Sequence, residues 1–228
     1  MVGQKPTVLS VFDYTGNFVL PWAEYGFPCI VVDTKHPDGW TQHPLHPNIT
    51  RVGADVRTWL PPRDREYALA AFWPPCTDMA VSGARWFRGK GLFALADSIR
   101  LFGHAANVAE WLGAPYVIEN PVSTISTYWR KPDETFDPAD FAGYLENPED
   151  EAYTKKTCLW TGHGFTMPPK RSVEATQGSK MHLMAPSPDR AELRSATPVG
   201  FARAVFQHIN KEYVLCQGEQ LNLNLEIA

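Results

Sequence analysis

The sequence predicts an α/β protein: a mostly parallel sheet with helices on both faces and a loop-rich insertion. Three observations predict it. From residue 7 to residue 120, short β-branched or aromatic runs alternate with stretches of helical spacing. Several of those runs end in an acid or lead into a glycine turn, as strands do when they feed a helix. The composition, 44% hydrophobic and 20% charged over 228 residues, suits one medium core with an appendage.

Taken in order, "TVLSVF" (7–12) is the first strand, and it leads into the turn "DYTGN". "FVLPWAEYGF" then has helical spacing and closes near a glycine. "CIVVDT" (29–34) is a second buried-strand pattern, and "ITRVGADV" (49–56) is a weaker third. "YALAAFW" (67–73) is the fourth. From Gly91 to Gly113, Leu92, Ala96, Ile99, Phe102, Ala106 and Leu112 recur at helical intervals and the run stops on a glycine. "PYVIEN" (115–120) is the fifth strand. Beyond Pro121 the texture turns proline-rich and polar, so residues 122–194 read as a loop-rich appendage and residues 1–121 with 195–228 as the core. In "ATPVGFARAVFQHI" (196–209), Thr197 before Pro198 marks a helix start, and Phe201, Ala204, Val205 and Ile209 form an apolar face. The final "EQLNLNLEIA" reads as an edge strand or a loose tail.

Several classes are disfavoured. The first residues lack the charged start, long apolar centre and cleavage site of a secretory signal, and no apolar run reaches bilayer length, so a soluble cytoplasmic protein with no membrane partner is expected. Cys29, Cys76, Cys158 and Cys216 are scattered without a C-x-x-C pair, which favours neither a zinc site nor a disulfide framework. His36, His43 and His46 lie in a proline-rich stretch without ligand spacing, and no metal is expected. A net charge of −4 makes any nucleic-acid contact a local matter.

In an open parallel sheet, ligands sit beyond the carboxyl ends of the strands. Gly16 lies in the first such turn, where backbone N–H groups can approach a ligand closely. Asp33 ends the second strand, where a carboxylate can accept hydrogen bonds from a ribose diol, and Asp55 follows the third. On these residues alone, turn-forming and capping roles compete evenly with a cofactor role. Cys76 follows the fourth strand behind Pro74 and Pro75, which restrict the backbone; Glu119 ends the fifth strand. A thiol and a carboxyl on one edge suit conjugate addition to a pyrimidine ring, provided the thiol is activated by a turn or by a cation such as Arg85.

The order of "VFDYTGN", "PPCTDMAVSG" and "IEN" resembles the motif order of the DNA (cytosine-5) methyltransferases. That resemblance implies a Rossmann-like fold dependent on S-adenosylmethionine, with Cys76 as nucleophile and Glu119 as the acid on the base. It implies Phe12 against adenine, Asp13, Thr15, Gly16 and Asn17 in the cofactor turn, and Asp33 and Asp55 on ribose and adenine. "SATPVGFARAV" is similar to the last motif, bringing Ser195 and Thr197 near the cofactor. Pro75, Ser82, Arg85, Asn120, Lys155 and Lys156 are then expected around the substrate. Tyr14 and Asn17 replace two glycines of the family turn, and only the appendage stands where a large recognition domain would, as in small phage-type members. The implied partner is DNA, duplex or single-stranded, or a free cytidine nucleotide. Lys155–Lys156 and Lys170–Arg171 are candidate phosphate contacts, more simply read as surface, and Tyr128, Trp129 and Trp160 are candidate stacking rings. Two rivals are an amino-methyltransferase, which "WPPC" only superficially matches, and a catalytically silent nucleotide- or DNA-binding module.

Overall fold

β1 (Thr7–Val11) is buried at all five positions, the reason it reads as an unbroken apolar run rather than an alternating one. This computed structural model describes residues 5–180 and 196–211. β1 lies in the interior of a seven-stranded sheet with β2 (Cys29–Gln42), β3 (Ile49–Gly53), β4 (Tyr67–Phe72), β5 (Tyr116–Pro121), β6 (Glu134–Phe136) and β7 (Thr157–Gly162). The spatial order is β3-β2-β1-β4-β5-β7-β6. Strands β1, β2, β3, β4 and β5 pair in parallel; β7 runs antiparallel to β5 and to β6. The fold is the expected Rossmann-like one. The chain winds outward from β1 to β3, then returns to the other side for β4, so the order reverses between β1 and β4. The crevice at that reversal is where open α/β sheets hold ligands.

Two apolar layers cover the sheet. On one face α1 (Leu20–Glu24) and, past the single turn α3 (Ile125–Tyr128), α4 (Val199–Ile209) bring Trp22, Phe201 and Phe206 against Val8, Leu69, Val117 and Leu159. On the other, α2 (Phe87–Leu112) brings Phe102, Ala105 and Val108 against Leu9, Phe72, Ile118 and Trp160. Burying a large side chain of this kind is worth roughly 1.5–3 kcal/mol. Cys29 and Cys158 belong to these layers as buried thiols. So does Trp160, whose ring meets Phe102 edge-on at 5.2 Å and whose Nε1–H donates to the Arg130 carbonyl at 2.9 Å; the expectation that it stacks on a base is corrected by its complete burial.

Other elements depart from expectation for local reasons. The first helix is only five residues long, entered at Pro21 and followed by Gly26 at φ 79°. α2 begins at Phe87, a turn earlier than its apolar spacing suggests, with Gly91 (φ 79°, ψ 175°) breaking it and Gly113 (φ 70°) closing it in the left-handed region. β2 runs to Gln42 because its second half returns along the outer edge of β3: Trp40 faces Val52, Thr41 faces Arg51 and Gln42 faces Thr50. That return covers an edge strand. It also requires Gly53, where a Cβ would lie 2.2 Å from the Pro37 carbonyl oxygen. Within the segment expected to be loop-rich, Glu134–Phe136 and Thr157–Gly162 are strands of the main sheet. The tail "EQLNLNLEIA" and Cys216 lie outside the described residues. Among the described residues, no helix is long and apolar enough to cross a membrane.

Candidate active site

The site is assembled from the exits of β1, β4 and β5. At β1 the chain turns through Phe12, in the left-handed region at φ 59°, an uncommon conformation for a non-glycine residue. Asp13 is buried and holds the turn together. Its Oδ1 accepts the Gly16 N–H at 2.8 Å and the Thr15 hydroxyl at 3.1 Å, and its Oδ2 accepts the Ser10 hydroxyl at 2.7 Å. Asn17 N–H donates to Thr15 Oγ1 at 3.3 Å. Trp73, just past β4, donates its Nε1–H to Ser10 Oγ at 2.8 Å, so a relay of hydrogen bonds joins the exits of β1 and β4. Gly16 sits at φ 71°, and a Cβ there would meet the His43 ring at 3.4 Å.

The histidines of the proline-rich stretch pack over this turn. His36 is buried, its Nε2–H donates to the Asp13 carbonyl at 3.0 Å, and its ring lies 5.4 Å from Tyr14 and 5.9 Å from His43. Burial pushes the His43 imidazole below its usual range. No grouping of three or more His, Cys, Asp or Glu residues able to hold a metal occurs among the described residues. Asp33 Oδ1 accepts the Lys35 N–H at 2.8 Å. Asp55 is held by Arg57, whose Nε–H reaches both carboxylate oxygens at 3.0 and 2.9 Å; these bonds hold the carboxyl at about 2. All three acids are thus engaged within their own loops, Asp33 at one oxygen; Asp33 and Phe12 are half-buried and keep surface for a ligand.

Beyond β4, Pro74, Pro75 and Cys76 lead into a tight turn in which the Cys76 carbonyl accepts the N–H groups of Met79 (3.1 Å) and Ala80 (2.9 Å). The Cys76 side chain is half-buried. This turn is joined to the exit of β5 at several points. Asn120 Nδ2–H donates to the Pro74 carbonyl at 3.0 Å, Val81 N–H to Val122 at 2.9 Å, and the Thr124 hydroxyl to Met79 at 3.1 Å, with a bridge between Ala80 and Ser123. Asn120 is fully buried and its Oδ1 has no hydrogen-bond partner among the described residues. That leaves an acceptor beside the Cys76 turn whose burial costs free energy until a donor meets it.

Glu119, one residue earlier, projects to the opposite face of the sheet. With Trp73, Phe136, Lys155, Thr197 and Pro198 it lines a narrow cleft; Cys76 is not on the wall of that cleft. Burial pushes the Glu119 carboxyl above the usual carboxylate range, against the pull of the Lys155 charge. The expected lysine pair therefore divides, Lys155 towards Glu119 and Lys156 exposed on the surface. Pro75, Ser82 and Arg85 are exposed, with the Arg85 guanidinium 5.1 Å over the Trp86 ring. Lys170 pairs with Asp140 at 2.9 Å, and Arg171 lies 4.2 Å over Tyr144, so both serve the appendage's own packing. Ser195 lies outside the described residues. Sequence reasoning passes over Ser10 and Trp73 and weighs His36 only as a metal ligand; the Ser10–Trp73 pair spans 63 positions, and no local pattern signals it.

No family model matches this chain, and no curated protein matches it. Among solved structures it is similar to an E. coli prophage protein provisionally described as a DNA modification methyltransferase, with 15% identity and a TM-score of 0.44. The match covers 69% of this chain and 46% of that one, so the chain spans under half the length of that structure.

Proposed function

We propose that this chain is an S-adenosylmethionine-dependent methyltransferase acting at C5 of cytosine in DNA, with Cys76 as nucleophile and Glu119 as the acid on the base. The observation that carries the reading is the coupling of the two motif-bearing loops: Asn120 donates to the Pro74 carbonyl, tying "PPC" and "EN" together at the carboxyl edge of adjacent parallel strands. The upward push of burial on the Glu119 pKa supports it, because a carboxyl that holds its proton more tightly is better suited to donate to N3 of the ring.

The cofactor would lie at the first turn. When bound, it supplies an electrophilic methyl group on a sulfonium sulfur. Phe12 and Asp33 fit the adenine face and the ribose diol, and Asp13 shapes the glycine turn through its three accepted hydrogen bonds. Asp55 fits only by exchanging Arg57 for a ligand. At the substrate, the Cys76 sulfur forms a bond to C6, and the C5–C6 pair shifts towards N3, where Glu119 donates its proton. C5 would then be the nucleophile that takes the methyl, the C–S bond of the sulfonium breaking to leave a neutral thioether while N3 returns its proton to Glu119. Removal of the C5 proton by a base restores the ring double bond and expels Cys76 as thiolate. For Cys76 and Glu119 to meet one ring, the cleft at Glu119 must open towards the Cys76 turn.

A second reading, a catalytically silent nucleotide- or DNA-binding module, is favoured by the engagement of Asp13 and Asp55 within their own loops. Incubation with labelled S-adenosylmethionine and duplex DNA, single-stranded DNA, RNA or cytidine nucleotides separates the two. The methyltransferase labels one acceptor, forms a covalent adduct with its 5-fluorocytosine version, and loses both with Cys76→Ser. No label on any acceptor, or label unaffected by Cys76→Ser, removes the proposed mechanism.

A further inference from the structure

Between Asp78 and Asp97 the chain contains Arg85, Arg88 and Lys90 and no acid, although the whole chain is net acidic at −4. The same stretch holds the two most exposed large apolar side chains among the described residues, Phe93 at 89% and Leu92 at 82%, together with Trp86 at 61%. Most other large aromatic residues, Trp22 and Trp160 among them, are buried. Cations interleaved with open rings are the combination that binds a strand of unpaired nucleotides, the cations meeting phosphate and the rings meeting base faces.

We propose that residues 81–93 form a docking surface for single-stranded nucleic acid that leads the strand to the Cys76 turn. The proposal deepens the reading of Cys76 as a base-modifying nucleophile and rests on it for the strand's destination. The surface is attached to that turn: Lys90 Nζ donates to the Thr77 carbonyl at 2.7 Å and pairs with Asp78 at 2.8 Å. A hollow of about 360 Å³ lies beside it, lined by Asp78, Phe87, Arg88, Lys90, Leu92 and Leu95. This is in the size range of small-ligand sites, and its lining combines charged with apolar side chains. A Cβ at Gly89 or Gly91 would meet nothing within 4 Å, so a phosphate backbone can approach the main chain there. A duplex hides its base faces inside the stack and offers little to Trp86 and Phe93. Unpaired bases offer every face.

The test is fluorescence anisotropy with a labelled oligonucleotide of about 15 nucleotides, as single-stranded DNA, single-stranded RNA and duplex DNA, without cofactor. Single strands should bind more tightly than duplex, and the two single-stranded arms identify the polymer. Trp86→Ala with Phe93→Ala should weaken single-strand binding by about 10-fold or more. Arg88→Ala should lower the slope of log affinity against log salt by about 0.7. The proposal is overturned by unchanged binding in the aromatic variant, by a preference for duplex, or by binding of phosphatidylcholine–phosphatidylserine vesicles in place of oligonucleotides. Failure of the methyltransferase reading looks different: single strands bind and depend on Trp86 and Phe93, yet no labelled methyl reaches them.

Discussion

On the proposed function, Glu119 sets stability against activity at the scale of single residues. Its carboxyl is enclosed, and burial raises its pKa, so the folded protein holds that proton more tightly than the unfolded chain does. Stability from this group is therefore greatest below the ordinary carboxylate range and declines as pH rises through the raised folded value. Glu119→Gln should gain about 1 kcal/mol at neutral pH, flatten that decline, and abolish methyl transfer; denaturant midpoints across pH and the labelling assay read the two effects. A stability loss on this substitution would show that the ionised carboxylate is needed where it sits. The candidate residues were legible here because strand-end acids and a Pro-Pro-Cys turn are local patterns. What each touches was not: Asp13 serves its own turn, and Asp55 is bound to Arg57.

Among the elements, α4 shows how a distant group replaces a local signal. The sequence offers Thr197 as a helix start, but no side chain of the flanking residues caps the helix. Instead Glu151, 48 and 49 positions earlier, accepts the N–H groups of Val199 at 2.5 Å and Gly200 at 2.9 Å. A carboxylate at a helix amino end satisfies exposed donors and meets the positive end of the helix dipole. Gly200 leaves the room for it, since a Cβ there would lie 2.9 Å from Glu151 Oε2 and 2.5 Å from the Phe141 carbonyl oxygen. Glu151→Ala should cost about 1–3 kcal/mol in urea unfolding, with an unchanged m-value. A change below the measurement error would mean that water replaces the carboxylate without penalty. The apolar spacing of Phe201, Ala204 and Val205 foretold the helix; its cap was illegible because the partner lies so far along the chain.

For the whole molecule, residues 122–180 are part of the folding unit. β7 pairs with β5 along its full length, Tyr116 to Gly162 through Pro121 to Thr157. Phe136 stacks on Phe201 at 4.4 Å, and Phe141 packs on it at 5.3 Å. A chain ending at Pro121 should expose β5 as an unpaired edge and lose the aromatic cover over Val117. It should fail to give a cooperative unfolding transition and should aggregate, as read by near-ultraviolet circular dichroism and light scattering. A folded monomer from that truncation would show that the residues beyond Pro121 are dispensable for folding. The sequence pattern passed over β6 because it has three residues, and β7 because it stands in a stretch whose prolines and polar residues signal loop.

The sequence by itself determined the winding of β1 to β5, since fully buried parallel strands must be written as apolar runs and their exits as turn residues. It also determined which side chains crowd the carboxyl edge. Only the tertiary structure decided how these groups are engaged: the Trp73–Ser10–Asp13 relay, the Asn120–Pro74 bond and the Glu151 cap join residues 48 to 63 positions apart, except for the local Ser10–Asp13 step and the 46-position Asn120–Pro74 pair. Such pairings follow from the order in which strands lie side by side, and hydrogen bonds across that order have no signature in the spacing of neighbours along the chain.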